Sequence, residues 1–230
     1  MDIFKPLALS TLIAAPLFLI GCSSDDNHVS RVSYQIEVTN LTAAQPMSPL
    51  AVALHSGSYA MWQIGTSASS GLEQLAEGGD NTALLAEASS AHAVTMTGNG
   101  LILPGTSDSI IINTNMKSDL ALSFATMLVN TNDGFTGLSG DKLSNLALGE
   151  TRSTELLALD AGTEANSESV VTIPGPAAGG EGYNVDRDDR DTVGGHPGVV
   201  TSADGLATSA LGEEHRFDNP VARVTITRLK

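Results

Sequence analysis

The chain has 230 residues, with 26 acidic against 11 basic side chains, a formal charge of −15 and a single cysteine. A nucleic-acid surface needs a cationic footprint, which this balance does not supply. The same charge opposes docking on anionic lipid headgroups and is compatible with divalent cations in a salty medium.

In chain order, Lys5 precedes an apolar stretch, Leu7–Ile20, which leads into Leu19-Ile20-Gly21-Cys22. A charged start, a short apolar core and a small residue before the cut form an export signal. At about 14 residues the core falls short of the roughly 20 that a spanning helix needs. Leu-Ile-Gly-Cys fits the bacterial lipobox, in which the thiol accepts diacylglycerol; an ordinary secretory peptide with an incidental cysteine is the plainer alternative. The expectation is a signal peptide over 1–21, a lipidated tether over 22–32 beginning at Cys22, and one folded domain over 33–230. With Cys22 lipidated, neither a disulfide nor a zinc–thiolate site can form from the remaining residues. Multiple acyl chains anchor firmly where a single one binds only marginally. Ser23 rather than Asp after the cysteine favours, by resemblance to enterobacterial sorting, the outer membrane, on its periplasmic face or at the cell surface.

From Ser33 the pattern changes. Tyr34, Ile36 and Val38 alternate with polar neighbours, which predicts a half-buried strand. Leu50–Leu54 predicts a more buried one. Ser70 and Glu73 have the spacing of a capping box, which predicts a short helix ending at Gly78-Gly79, and Thr82–Ser90 predicts a further helical turn. Strand-like runs follow at 109–113, 120–130, 155–159 and 170–173, and the last strand is expected over 221–229. The Gly-, Asp- and Ala-rich stretch 175–214 reads as a long loop excursion. Many short strands with turn residues between them, and little helix, predict an antiparallel β-sandwich.

Several segments, in order, resemble the spondin N-terminal domain, the module of F-spondin and mindin. They are Tyr34–Thr39, Ser48-Pro49-Leu50, His55-Ser56-Gly57-Ser58-Tyr59-Ala60-Met61-Trp62, Ala68–Asp80, Asn132-Asp133-Gly134-Phe135-Thr136-Gly137, Asp160-Ala161-Gly162-Thr163-Glu164 and Pro220–Leu229. The resemblance implies an all-β, C2-like sandwich with one calcium ion held by loop carboxylates, here Asp133, Asp160 and Glu164. Glu164 stands where that family has Asp, and the region around 188–218 is longer and more acidic than in the animal proteins. Calcium takes about six to eight oxygens, so turn carboxylates suit it. Asp133 lies in an Asn-Asp-Gly turn, and Gly162 allows the loop after Asp160 to fold back towards it. Apart from the resemblance, Asp in turns is ordinary turn chemistry.

Other motifs carry blander readings. Asp186-Arg187-Asp188-Asp189-Arg190-Asp191 lacks the glycine and distal Glu of an EF-hand and reads as a solvated acidic loop. No two histidines have zinc-site spacing. His55 beside Ser56 or Ser58 lacks the context of a nucleophile elbow. Trp62 reads as core packing ahead of a sugar platform. The expected function is therefore non-enzymatic: a lipid-anchored, calcium-binding envelope protein acting in adhesion or extracellular binding of a protein or glycan. An envelope hydrolase acting on glycan or ester, and a purely structural lipoprotein, are the alternatives.

Overall fold

A computed structural model describes Met1, residues 31–115 and residues 118–230. The remainder of the export signal, Cys22 and most of the tether lie outside the described residues. No helix among the described residues is long and apolar enough to cross a membrane.

The elements in chain order are β1 (Val32–Asn40), β2 (Ala51–Ser56), α1 (Ser70–Gly78), α2 (Thr82–Ser90), β3 (Val94–Thr97), β4 (Ser107–Thr114), β5 (Leu120–Met127), β6 (Gly134–Lys142), β7 (Thr151–Leu156), β8 (Leu159–Asp160), β9 (Gly194–Gly195) and β10 (Ala222–Arg228). They build two antiparallel sheets, one in the order β4-β1-β10-β7 and one in the order β3-β2-β5-β6-β8-β9. The protein is an all-β sandwich with two short helices laid on one outer face.

The alternation read from the sequence sets which side chains enter the core. Tyr34, Ile36 and Val38 of β1, with Val224 and Ile226 of β10, meet Val52 and Leu54 of β2 and Leu122 and Phe124 of β5 between the sheets. Each fully buried aliphatic or aromatic side chain contributes about 1.5–3 kcal/mol. β2 and β5 are buried on both faces because the helices cover the other side. There the strands present Ala51, Ala53 and Ala125, small enough for Leu72, Leu75, Leu84 and Ala88 to pack closely.

Three expectations are corrected, and the strands β3 and β6 have no counterpart among the expected ones. The side chain that caps α1 is Ser69, which accepts from the Leu72 amide, so the cap lies one residue before Ser70. Glu73 is consequently free for another partner. Val170 and Val171 are exposed and form no strand, leaving Ile173 as the buried residue of that run. The run 155–159 is divided between β7 and β8, with Leu157 exposed at the break. β6, starting at the Asn-Asp-Gly turn, is a nine-residue strand in mid-sheet. The stretch 175–214 is mostly loop, with β9 and two short 3₁₀ turns, and gathers Ile173, Val199 and Leu211 into a small core of its own.

Candidate metal centre

The loop joining β5 to β6 carries four buried polar residues, Asn130, Thr131, Asn132 and Asp133. Buried polar groups need partners, and the first three have them. The Asn130 amide donates to Gln45 Oε1 (3.0 Å) and its Oδ1 accepts from the Ala177 amide (3.0 Å). Thr131 Oγ1 donates to the Leu128 carbonyl (2.6 Å) and accepts from the Gly134 amide (2.9 Å). Asn132 Oδ1 accepts from the Glu168 amide (3.2 Å).

Asp133 uses only half of its carboxylate. Its Oδ2 accepts from the backbone amides of Thr163 (2.7 Å) and Glu164 (3.1 Å) and from Thr163 Oγ1 (3.3 Å). Its Oδ1 is buried and has no partner. These bonds draw the loop after β8 onto the β5–β6 loop, beyond the pairing of Gly134 with Asp160. Gly162 makes the fold-back possible: its φ is +71°, and a Cβ there would stand 2.5 Å from the Thr192 carbonyl oxygen. Glu164 Oε2 is likewise buried and unpartnered.

Burial pushes the Asp133 carboxyl up to about 7, with the Asp160 charge adding to it. Burial also raises Glu164 to about 8, helped by Glu77, Asp133 and Asp188. Two unsatisfied carboxylate oxygens brought to one edge by paired loops are suited to a hard cation. Asp160 is arranged differently. Its Oδ1 accepts from the Gly162 amide (2.8 Å) and lies 3.1 Å from Arg190 Nη2, and its Oδ2 accepts from Asn166 Nδ2 (2.8 Å). Among the described residues no three His, Cys, Asp or Glu side chains form a ready-made metal cluster. Asp133 and Glu164 each offer a cation one oxygen without a donor; Asp160 offers its Oδ1 only without Arg190.

The run 186–191 is a loop exposed at every residue but Arg187, as expected, and it is also tied to the loop after β8. The Asp188 amide donates to the Thr163 carbonyl (3.1 Å), the Asp191 amide to that of Gly162 (2.7 Å), and the Ala165 amide to Asp188 Oδ1 (2.7 Å). Arg187 reaches across to Glu73 of α1. The run is a strap laid along the candidate site. Sequence reasoning missed Arg187, Arg190 and Asn166. A usable signal was Glu73 and Glu77, four apart on α1 with no base in its last turn.

The other candidate residues, His55 and Trp62, are held by neighbouring side chains and backbone. His55 Nδ1 lies 2.7 Å from the Ser56 carbonyl oxygen and therefore carries the proton, so Nε2 accepts from Ser123 Oγ (2.8 Å), which itself accepts from the Gly140 amide (2.8 Å). Ser123 is fully buried where the β5–β6 register shifts, so the pair braces that irregularity. Tyr59 sits edge-on to His55, with ring centroids 4.9 Å apart. Trp62 is half-buried and edge-on to Phe135 at 5.5 Å, with its backbone tied to Ser139 Oγ.

Residues 34–174 match the family model described as Spondin_N. No curated protein matches the chain. The matched segment holds Asp133, Asp160 and Glu164, together with His55 and Trp62, whereas the strap and β10 lie beyond it. A match over more than half of the chain, on a sandwich whose loops bring Asp133 against the 160–164 turn, places the protein in the spondin N-terminal domain family.

Proposed function

We propose that this protein is a lipid-anchored, calcium-binding recognition module of the cell envelope, tethered at Cys22 and presenting its loop edge to a protein or glycan ligand. The observation that carries the proposal is the pair of buried oxygens without donors, Asp133 Oδ1 and Glu164 Oε2. Unpaired buried carboxylates are costly unless a cation meets them. A calcium ion supplies that charge and additional coordination bonds, and it performs no reaction. Asp133 and Glu164 would hold it, and the amides of residues 163 and 164 keep Asp133 aimed. Tying the β5–β6 loop to the 160–164 loop would fix the shape of that edge, which is what a recognition surface requires.

The test is thermal unfolding of the chain in calcium and in chelator. Calcium is expected to raise Tm by several degrees through linkage, and Asp133→Asn and Glu164→Gln to abolish the rise. An equal Tm in both conditions would refute calcium binding. Adhesion is separated from a purely structural role by asking whether the calcium-loaded protein retains glycans, matrix or cells. The mass of the membrane-extracted chain, compared with Cys22→Ser, tests the anchor.

A further inference from the structure

Asp160 alone among the three expected ligands already has a cation beside it. Arg190 Nη2 lies 3.1 Å from Asp160 Oδ1; the carboxylate side chain is 1% exposed and that of the arginine 49%. The two arginines of the strap are held very differently. Arg187 makes two parallel bonds to Glu73, Nε to Oε1 (2.9 Å) and Nη2 to Oε2 (2.8 Å), donates also to the Ala68 carbonyl (3.0 Å), and pairs with Asp191. Arg190 is held by less: the Thr192 carbonyl, 3.3 Å from its Nε, and Asp189 at 3.9 Å are its other contacts. It lies across Gly194, where a Cβ would stand 3.1 Å from Nη2. One arginine is a fixed clasp, and the other rests on a carboxylate that a metal would need.

We propose that Arg190 is an internal competitor for the cation site, so that calcium engages Asp160 only by displacing the guanidinium. The inference rests on the calcium reading above and adds its regulation. Two positive groups cannot share Asp160 Oδ1, whose other bond is taken by the Gly162 amide. The guanidinium neutralises Asp160 in the metal-free protein and sets a threshold, so the site fills only where calcium is abundant. Displacement removes one tie on the strap, which Arg187, the Asp191 amide and the β8–β9 pairing keep docked. The second half of the strap is bonded to the loop that follows Trp62: the Gly65 amide donates to the Val193 carbonyl, the Val193 amide to that of Thr66, and Ser67 Oγ to that of Asp191. These bonds connect the site to a second surface, the cleft lined by Tyr59, Trp62, Gln63 and Ser69.

Calorimetric calcium titration of the full chain in detergent tests this, with Arg190→Gln and Arg187→Gln beside the natural sequence. Arg190→Gln is expected to bind at least about fivefold tighter, and Arg187→Gln no tighter. Binding by the natural chain that is unchanged or weakened in Arg190→Gln overturns the competitor and leaves the calcium site standing. Binding by Arg190→Gln alone supports it in its strongest form; binding by neither overturns both. A measurement on the natural chain guards against a misfolded variant: on calcium addition the Arg190 Nε–Hε resonance must shift while that of Arg187 holds. A stationary Arg190 resonance in a chain that binds calcium also overturns the proposal.

Discussion

Arg187 and Glu73, 114 positions apart in the chain, are joined fork to fork, with their side chains 25% and 5% exposed. The pair fastens the strap to α1 across the sequence boundary of the family match. Removing the arginine alone leaves Glu73 buried without a counter-charge. Arg187→Ala is expected to lower the unfolding free energy by about 3 kcal/mol, read by chemical denaturation. Arg187→Lys is expected to recover less than half, because an ammonium cannot make two parallel bonds and also reach the Ala68 carbonyl. A loss within experimental error for Arg187→Ala would show that the strap is not held this way.

Acidity gives a second expectation. The folded values of Asp133 (about 7) and Glu164 (about 8) lie above the ordinary 3.8 and 4.5, mainly because of burial. Burial also raises Glu168 to about 7. The folded state thus holds protons that the unfolded chain has released, so the stability of the metal-free protein falls as pH rises from about 4 to about 8. His196 acts the other way: burial lowers it from 6.5 to about 4, so its contribution is gained as pH rises through that interval and is complete above it. Between pH 6.5 and 8 the carboxylates act alone. Tm in chelator is expected to decline across that window, and Tm in calcium to decline less. A chelator Tm that climbs there contradicts the assignment.

The brace at the β5–β6 irregularity is testable by deleting one oxygen. Ser123→Ala strips the Gly140 amide of its acceptor and His55 Nε2 of its donor, all within a closed layer. The expected cost is about 2 kcal/mol by urea unfolding, with the calcium response retained because this pair is separate from the bonds that aim Asp133. Loss of the calcium response with unchanged stability would be the contrary result.

Gly162→Ala probes the fold-back itself. The substitution asks a side chain to adopt φ +71° against the Thr192 backbone. Strain of about 1–3 kcal/mol is expected, and since the same turn places the amides that bind Asp133, calcium affinity should fall with it. Unchanged affinity by calorimetry would mean that the turn does not aim the site.

Much of the frame was legible in the sequence because β1 and β10 bury one face and leave the other wet, the condition under which period-2 alternation survives. β6 was hidden for the opposite reason. Gly134, Gly137 and Gly140 supply no side chain to alternate, although the strand lies in mid-sheet. Val170-Val171 misled by composition, since β-branched residues favour strands but the backbone there turns. Of the candidate site, Asp133, Asp160 and Glu164 came from the resemblance alone, and the fold-back at Gly162 from turn chemistry. That Arg190 would lie on Asp160, and Arg187 on Glu73, depends on where a forty-residue excursion comes to rest, which local pattern does not encode.

The position of β1 has a mechanical consequence. It lies inside its sheet, bonded along its length to β4 on one side and β10 on the other. Val32 and Arg228 flank one end of the sandwich, whereas Asn40 donates to the Gln45 carbonyl, and Gln45 in turn binds the Asn130 loop beside the candidate metal centre. A pull applied through residue 31 therefore runs along β1 and loads two rows of perpendicular hydrogen bonds in shear, all at once. Such a grip resists force far better than one opened bond by bond, and it leaves the loop edge at the pole facing away from the pull.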